Sequence, residues 1–148
     1  ACTDSRFGKA EDFIARLEEL TGKPVMRTIT AAERVGPEKL FDVLVIAPCT
    51  GATLARLASG LTDTAVTMAA KSHLRNGRPV VVAFSTNDAL SGSAENIAAL
   101  LNRKNYYFVP FGQDDPEGKP TSLQADFARM GEAAEAALEG RQLQPVRR

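Results

Sequence analysis

Cysteine and histidine are scarce: Cys2, Cys49 and His73 are all the chain offers to a soft metal, and they stand at no ligand spacing. A metal site is therefore not expected. Charge of one sign is lacking too, since 18 Lys and Arg balance 18 Asp and Glu and no basic stripe appears. That removes the electrostatic footprint of a nucleic-acid or anionic-membrane partner. No apolar run approaches a membrane span, and no charged start leads into an apolar signal core, so the composition predicts a cytoplasmic chain. There is no internal repeat, and 148 residues suffice for one domain with a sizeable core.

What is present is a series of apolar runs, each ending in small or polar residues. Residues 43–47 are uninterrupted apolar and mostly β-branched, which predicts a strand buried on both faces, as in a parallel sheet. Pro48 has no N–H to donate and is expected to end that ladder. After it, Thr50, Gly51, Ala52 and Thr53 carry only small side chains, leaving room for a ligand beyond the carboxyl end of the strand, where open α/β sheets bind their ligands. Residues 79–84 form a second apolar strand that exits into Ser85, Thr86, Asn87 and Asp88. A third, residues 106–109, stops at Pro110 and exits into a loop rich in Gly, Pro and Asp that continues to Pro120.

Helical spacing fills the intervals. Phe13, Ile14, Leu17 and Leu20 mark a first helix stopped at Gly22 and Pro24, and residues 25–29 read as a short strand. Residues 52–58 and 64–75 read as two helices broken at Gly60, with Thr62 or Asp63 capping the second. Ser91 or Ser93 can cap a helix holding Ile97, Leu100 and Leu101, while Leu123, Phe127, Met130, Ala134 and Leu138 mark a last helix ending at Gly140. This alternation predicts an α/β fold, a three-layer doubly wound parallel sheet. Residues 1–140 are read as one domain and residues 141–148 as a flexible basic tail.

Several residues admit both a structural and a chemical role. Cys49 is in the first exit loop, but with no base nearby it reads as a small buried hydrophobe. His73 reads as a solvated residue near a helix C-terminus. Lys71 and Arg75 lie one turn apart on a helix, as a solvated face or a substrate clamp. Asp114 and Asp115 order a turn or meet a ligand, and Asn87 and Asp88 cap a helix or serve a site.

Blocks along the chain carry a family resemblance. Pro48 to Thr53, followed by Gly60 and Asp63, is similar to the cofactor loop of the flavin mononucleotide-binding flavoproteins of the cysteine-decarboxylase type. Two residues depart from it: Gly51 stands where many of those proteins carry Ala, and Ala52 where they carry Asn. Within that superfamily, five blocks resemble the B subunits of dipicolinate synthase: Arg6-Phe7-Gly8-Lys9-Ala10, Met68-Ala69-Ala70-Lys71, Leu74-Arg75-Asn76-Gly77-Arg78-Pro79-Val80-Val81, Ser85-Thr86-Asn87-Asp88-Ala89-Leu90, and Phe108-Val109-Pro110-Phe111-Gly112-Gln113-Asp114-Asp115-Pro116.

The resemblance implies a flavodoxin-like or Rossmann-like fold. It also implies an oxidoreductase subunit that acts with the A subunit of dipicolinate synthase in the mother cell of a sporulating bacterium. The reaction implied is oxidation of a dihydrodipicolinate precursor, a small dicarboxylate, to dipicolinic acid, and relatives of this kind form homo-oligomers. The cofactor implied is FMN, with NADP as the alternative. Transferred residue by residue, Thr3 and Ser5 would lie by the phosphate, Pro48, Thr50, Gly51 and Thr53 along the ring, and Ser85, Thr86 and Asn87 beside the active site. Asn87, Arg75 and Arg78 are the candidates for the substrate carboxylates. Members of the family begin with a strand-turn-helix unit that this chain does not show, and a cysteine-type decarboxylase or a supporting subunit are the alternative functions.

Overall fold

A computed structural model of the chain describes residue 4 and residues 8–147. Its frame is three parallel strands. β1 (Leu44–Cys49) and β3 (Tyr106–Phe108) lie on either side of β2 (Val80–Thr86), so that Val80 faces Leu44 on one side and Tyr106 on the other. Residues Val80 to Phe84 are fully buried, as a continuous β-branched and aromatic run requires when both sheet faces are covered. Side chains alternate between the faces. Val80, Val82 and Phe84 pack with Leu54 and Leu57 of α3 (Gly51–Ser59), Ala70 of α4 (Ala65–Leu74), and Ile97 and Leu100 of α5 (Ala94–Leu101). Val81 and Ala83 point the other way, onto Ala133 and Ala137 of α6 (Met130–Leu138). These are the three layers the alternation predicts.

In several places the chain departs from its sequence-based reading. Val45 is 37% exposed and Ala47 is also exposed, because α6 packs mainly on β2 and β3. Pro48 does not end the ladder either: the strand runs on to Cys49, which faces Phe84 across a shift in register, and Pro48 falls within that irregularity. A bulge of this kind relieves the strand of the ladder bond a proline cannot make. Residues 25–28 lack a strand partner among the described elements. They lead instead into α2 (Ile29–Glu33), capped by the Thr28 hydroxyl accepting from the Ala31 N–H and packed on α4.

A further correction concerns the third exit loop. Phe111 and Gly112 form β4 (Phe111–Gly112), and Leu123 lies in β5 (Leu123–Ala125), not in a helix. β5 pairs antiparallel with β4 and with the last residues of β2, placing Ser85 opposite Gln124 and Thr86 opposite Leu123. The sheet is therefore mixed, with a parallel core and an antiparallel flap over one end of its central strand. Beneath that flap the rings of Phe84, Phe108 and Phe111 meet at centroid distances of 4.8 to 6.2 Å, in tilted and edge-on pairings.

Outside the sheet, α1 (Ala10–Thr21) buries Ala10 and Ile14, while Phe13, Leu17 and Leu20 stay exposed. Beyond Gly140, in the segment read as a basic tail, the Gln142 amide donates to the Phe108 carbonyl at 2.7 Å and accepts from the Phe108 N–H at 2.8 Å. The Phe111 N–H donates to the Val146 carbonyl at 3.0 Å. No helix among the described residues is long and apolar enough to cross a membrane.

Candidate functional site

The site is built where β1 and β2 leave the sheet. Thr50 is the N-cap of α3: its extended backbone lets the hydroxyl accept from the Thr53 N–H at 3.3 Å, its carbonyl takes the Leu54 N–H at 2.9 Å, and its hydroxyl lies 3.1 Å from that of Thr53. A helix leaves its first four N–H groups without intrahelical partners. The Thr50 hydroxyl satisfies that of Thr53 and its carbonyl takes the first intrahelical bond, so the N–H groups of Gly51 and Ala52 are left without a helix partner at the edge.

Gly51 is where the two loops meet. A Cβ on it would lie 2.7 Å from the Thr86 hydroxyl, 2.9 Å from the Ser93 hydroxyl and 3.2 Å from the Asp88 carboxylate. Only a residue without a side chain lets the start of α3 approach the second loop this closely. On the far side of that contact Asp88 organises its own loop. One oxygen of its carboxylate accepts from Thr86 Oγ1 at 2.6 Å and from Ser93 Oγ at 2.9 Å, and its carbonyl accepts the N–H groups of Ser91 and Ser93. The two hydroxyls hold the Asp88 carboxyl below the usual carboxylate range, so it is ionised at neutral pH.

The third exit loop completes the edge from the other side. Thr121 donates its hydroxyl to the Asn87 carbonyl at 2.6 Å, and its own carbonyl accepts the Leu90 N–H at 2.9 Å. The Asn87 side chain is exposed on the loop so braced, and Ser85 is exposed beside it. Asp115 orders the loop tip, its carboxylate accepting the Gly118 N–H and its carbonyl that of Lys119; Asp114 pairs with Lys119 at 2.8 Å. Between flap and loop lies a hollow of about 300 Å³ lined by Leu90, Phe111, Gln113 and Leu123.

The structure thus gathers Pro48, Thr50, Gly51, Thr53, Ser85, Thr86 and Asn87 at one edge, and it leaves two other candidates away from it. Arg75 ends α4, and Arg78 stands just before β2, at the opposite end of a seven-residue strand roughly 20 Å long. Arg78 is committed there, donating to the carbonyls of Lys39 and Phe41 and pairing with Asp42 at 3.4 Å. Thr3 and Ser5 lie outside the described residues. Between them, Asp4 accepts the Ala10 N–H at 2.8 Å, which places a carboxylate at the start of α1.

Neither lone nucleophile nor base joins the edge. Burial pushes the Cys49 thiol up to about 12, so it is an uncharged core group, as its lack of basic neighbours predicts. His73, read from the sequence as solvated, is fully buried: its Nε2 lies 3.1 Å from the Pro79 carbonyl, its Nδ1 has no partner, and burial lowers its pKa. No group of His, Cys, Asp or Glu that could hold a metal occurs among the described residues.

Sequence reasoning passes over Ser93 as a loop ligand, Asp88 as the organiser and Thr121 as the brace. The Thr86-x-Asp88 spacing is a usable signal, since a hydroxyl and a carboxylate two residues apart commonly close a local turn. Thr121 leaves none, because its partner is 34 residues distant.

Comparison with known proteins bears on the family and the fold. The Flavoprotein family model matches residues 6–133. The dipicolinate synthase B subunit of Bacillus subtilis (strain 168) is 44% identical over 144 residues, which is 97% of this chain and 72% of that protein. The crystal structure of the dipicolinate synthase B subunit from Bacillus halodurans C is 46% identical and superposes with a TM-score of 0.91, covering 99% of this chain and 75% of the other. The FMN-dependent cysteine decarboxylase SpaF shares the fold alone, at 22% identity and a TM-score of 0.62 over 86% of this chain and 71% of its own. Sequence and fold together place the meeting loops at Gly51 on a known scaffold: the chain belongs to the flavoprotein family, among the relatives of the dipicolinate synthase B subunit.

Proposed function

We propose that this chain is a flavin-binding oxidoreductase subunit of the dipicolinate synthase type. In this reading it works with an A subunit, as a homo-oligomer in the cytoplasm of the mother cell, to oxidise a dihydrodipicolinate precursor to dipicolinic acid. The observation that carries the reading is the 44% identity to the Bacillus subtilis protein, extending over 97% of this chain and so through all three exit loops.

The chemistry of the edge suits a flat, neutral ring. Gly51 and Ala52 are too small to block a ring face, and their N–H groups are available as donors to its heteroatoms. Thr50 and Thr53 add hydroxyls, Pro48 bounds the loop, and Ser85, Thr86 and Asn87 provide polar groups from the second loop. A phosphate suits the same place poorly, because the ionised Asp88 carboxylate already lies against the first residue of α3. FMN placed here would hold its ring at this edge and its phosphate elsewhere, the role assigned to Thr3 and Ser5. A bound flavin supplies a hydride acceptor. The chain's own part is to orient the reacting ring against it, to donate the Asn87 amide to a substrate carboxylate, and to exclude water by means of the β4–β5 flap. Arg75 and Arg78 serve the substrate only where a second copy brings them to the edge.

A decarboxylase acting on cysteine is supported by fold likeness alone, and the one histidine of the chain is buried at the other end of β2. The test is titration of the purified chain with FMN and with NADP, followed by assay with and without the A subunit. Visible flavin bands and saturable FMN binding are expected, with turnover only when both proteins are present. Binding of NADP alone would move the acceptor to the nicotinamide, and binding of neither would leave a supporting subunit.

A further inference from the structure

A second concave site lies on the opposite edge of the sheet, and it is unlike the first. It is a groove of about 470 Å³ between the end of α3, the inner side of α4 and the turn before β3. That volume is within the range of small-molecule sites. Leu57, Leu74 and Tyr106 supply apolar walls, and Lys71, Arg103 and Lys104 supply three cations with no carboxylate among the lining residues. In a chain whose formal charges cancel, this is a local excess of positive charge.

The groove is preorganised. Arg103 donates to the Leu57 carbonyl at 2.9 Å and to that of Ala58, which fixes its guanidinium on the end of α3 and uses two of its five donors. The turn carrying Arg103 and Lys104 is pinned to the sheet. Asn105 adopts a left-handed conformation at φ 67°, and its carbonyl accepts the Val80 N–H at 2.8 Å. Lys71 and Lys104 are exposed and have no ion-pair partner among the described residues. Tyr106 is half-buried, and burial raises its pKa, so its hydroxyl remains a donor.

We propose that this groove binds a small planar carboxylate, a compound with an apolar ring face and one or two carboxyl groups. The apolar walls distinguish it from a phosphate site, where a hydrated anion gains nothing from leucine or a tyrosine ring. The remaining Arg103 donors match the fork of a carboxylate, and two flexible ammonium groups close over it. The site is separate from the exit loops and does not depend on the flavin reading.

The experiment is calorimetric titration of the full chain with benzoate and, separately, inorganic phosphate, repeated for the Lys71→Ala/Lys104→Ala double variant and for Lys23→Ala, an exposed lysine outside the groove. Expected are saturable benzoate binding weakened by salt, a loss of roughly tenfold in the double variant, no change in Lys23→Ala, and much weaker phosphate binding. Both groove lysines are exposed, so the double variant should melt with the parent and still bind FMN wherever the parent does. Absence of binding up to the probe's solubility, equal affinity for phosphate, binding unaltered by the double variant, or binding equally weakened in Lys23→Ala would each overturn the proposal. FMN titration of the same samples reports on the flavin reading separately.

Discussion

At position 51 one methyl group decides whether two loops can meet. The atoms nearest to a new Cβ are the hydroxyls of Thr86 and Ser93, and both are tied to Asp88, so neither can swing away without giving up its bond. Gly51→Ala should therefore cost about 1–3 kcal/mol in denaturant unfolding and weaken FMN binding in the same preparation. Cys49 should behave in the opposite manner to an active-site thiol. With its thiol buried and pushed up to about 12, alkylation at Cys49, followed by peptide mass mapping at pH 8, should be slow in the native state and rapid in denaturant. His73 gives the fold a pH dependence. Its Nε2 is satisfied by the Pro79 carbonyl while Nδ1 has no acceptor, and Arg78 nearby disfavours the cation where Asp42 favours it. Because burial lowers its pKa from the ordinary 6.5, the unfolded chain takes up the proton first. The stabilisation by neutral His73 is whole above that value and is lost as pH falls through the lower folded value, at a slope of up to about 1.4 kcal/mol per pH unit. Unfolding measured between pH 8 and 5 should show a plateau and then a decline, and His73→Gln should flatten its upper part.

Secondary-structure elements depend on their ends here. α3 owes its first turn to the Thr50 hydroxyl, so Thr50→Val should cost about 1 kcal/mol of stability and Thr50→Ser should restore it. The helices are legible in the sequence because their apolar spacing is local: α3, α4 and α5 stand where periodicity places them, although the cap of α4 is Thr64, which closes a reciprocal capping box with Thr67. Short elements are not legible. Residues 123–125 continue a helical spacing of apolar side chains, yet they form a strand because the end of β2 offers a free edge, a partner no local pattern reveals. Residues 25–29 have strand-like composition and no partner, so Thr28 starts a helix there. The same holds beyond Gly140, where Gln142 acts like a ladder residue toward Phe108. Gln142→Ala should leave both groups of Phe108 unpaired and cost about 1–3 kcal/mol, measured by urea unfolding.

Across the whole molecule, the apolar runs announce the parallel sheet, although only β2 is buried on both faces, and the polar residues after each strand announce the candidate edge. The site itself is legible only in part. Thr50, Gly51 and Thr86 stand out in their loops, but their organiser Asp88 and the brace Thr121 depend on tertiary contacts. Arg75 and Arg78 are drawn in by nearness in sequence to the second strand, whereas a parallel strand carries its two ends to opposite sides of the molecule. The Thr121 brace also bears on the order in which the protein is made. Asn87 is finished by a hydroxyl added 34 residues later, and the Leu90 N–H by the carbonyl of the same threonine. A ribosome releases β1, β2 and α5 well before Thr121, so the core can begin to assemble while the binding edge still lacks its last support. The candidate edge thus waits on a residue made after the parallel strands, and Thr121→Val, which removes the bond to the Asn87 carbonyl, should speed exchange of the Leu90 amide while leaving those of Val80–Phe84 protected.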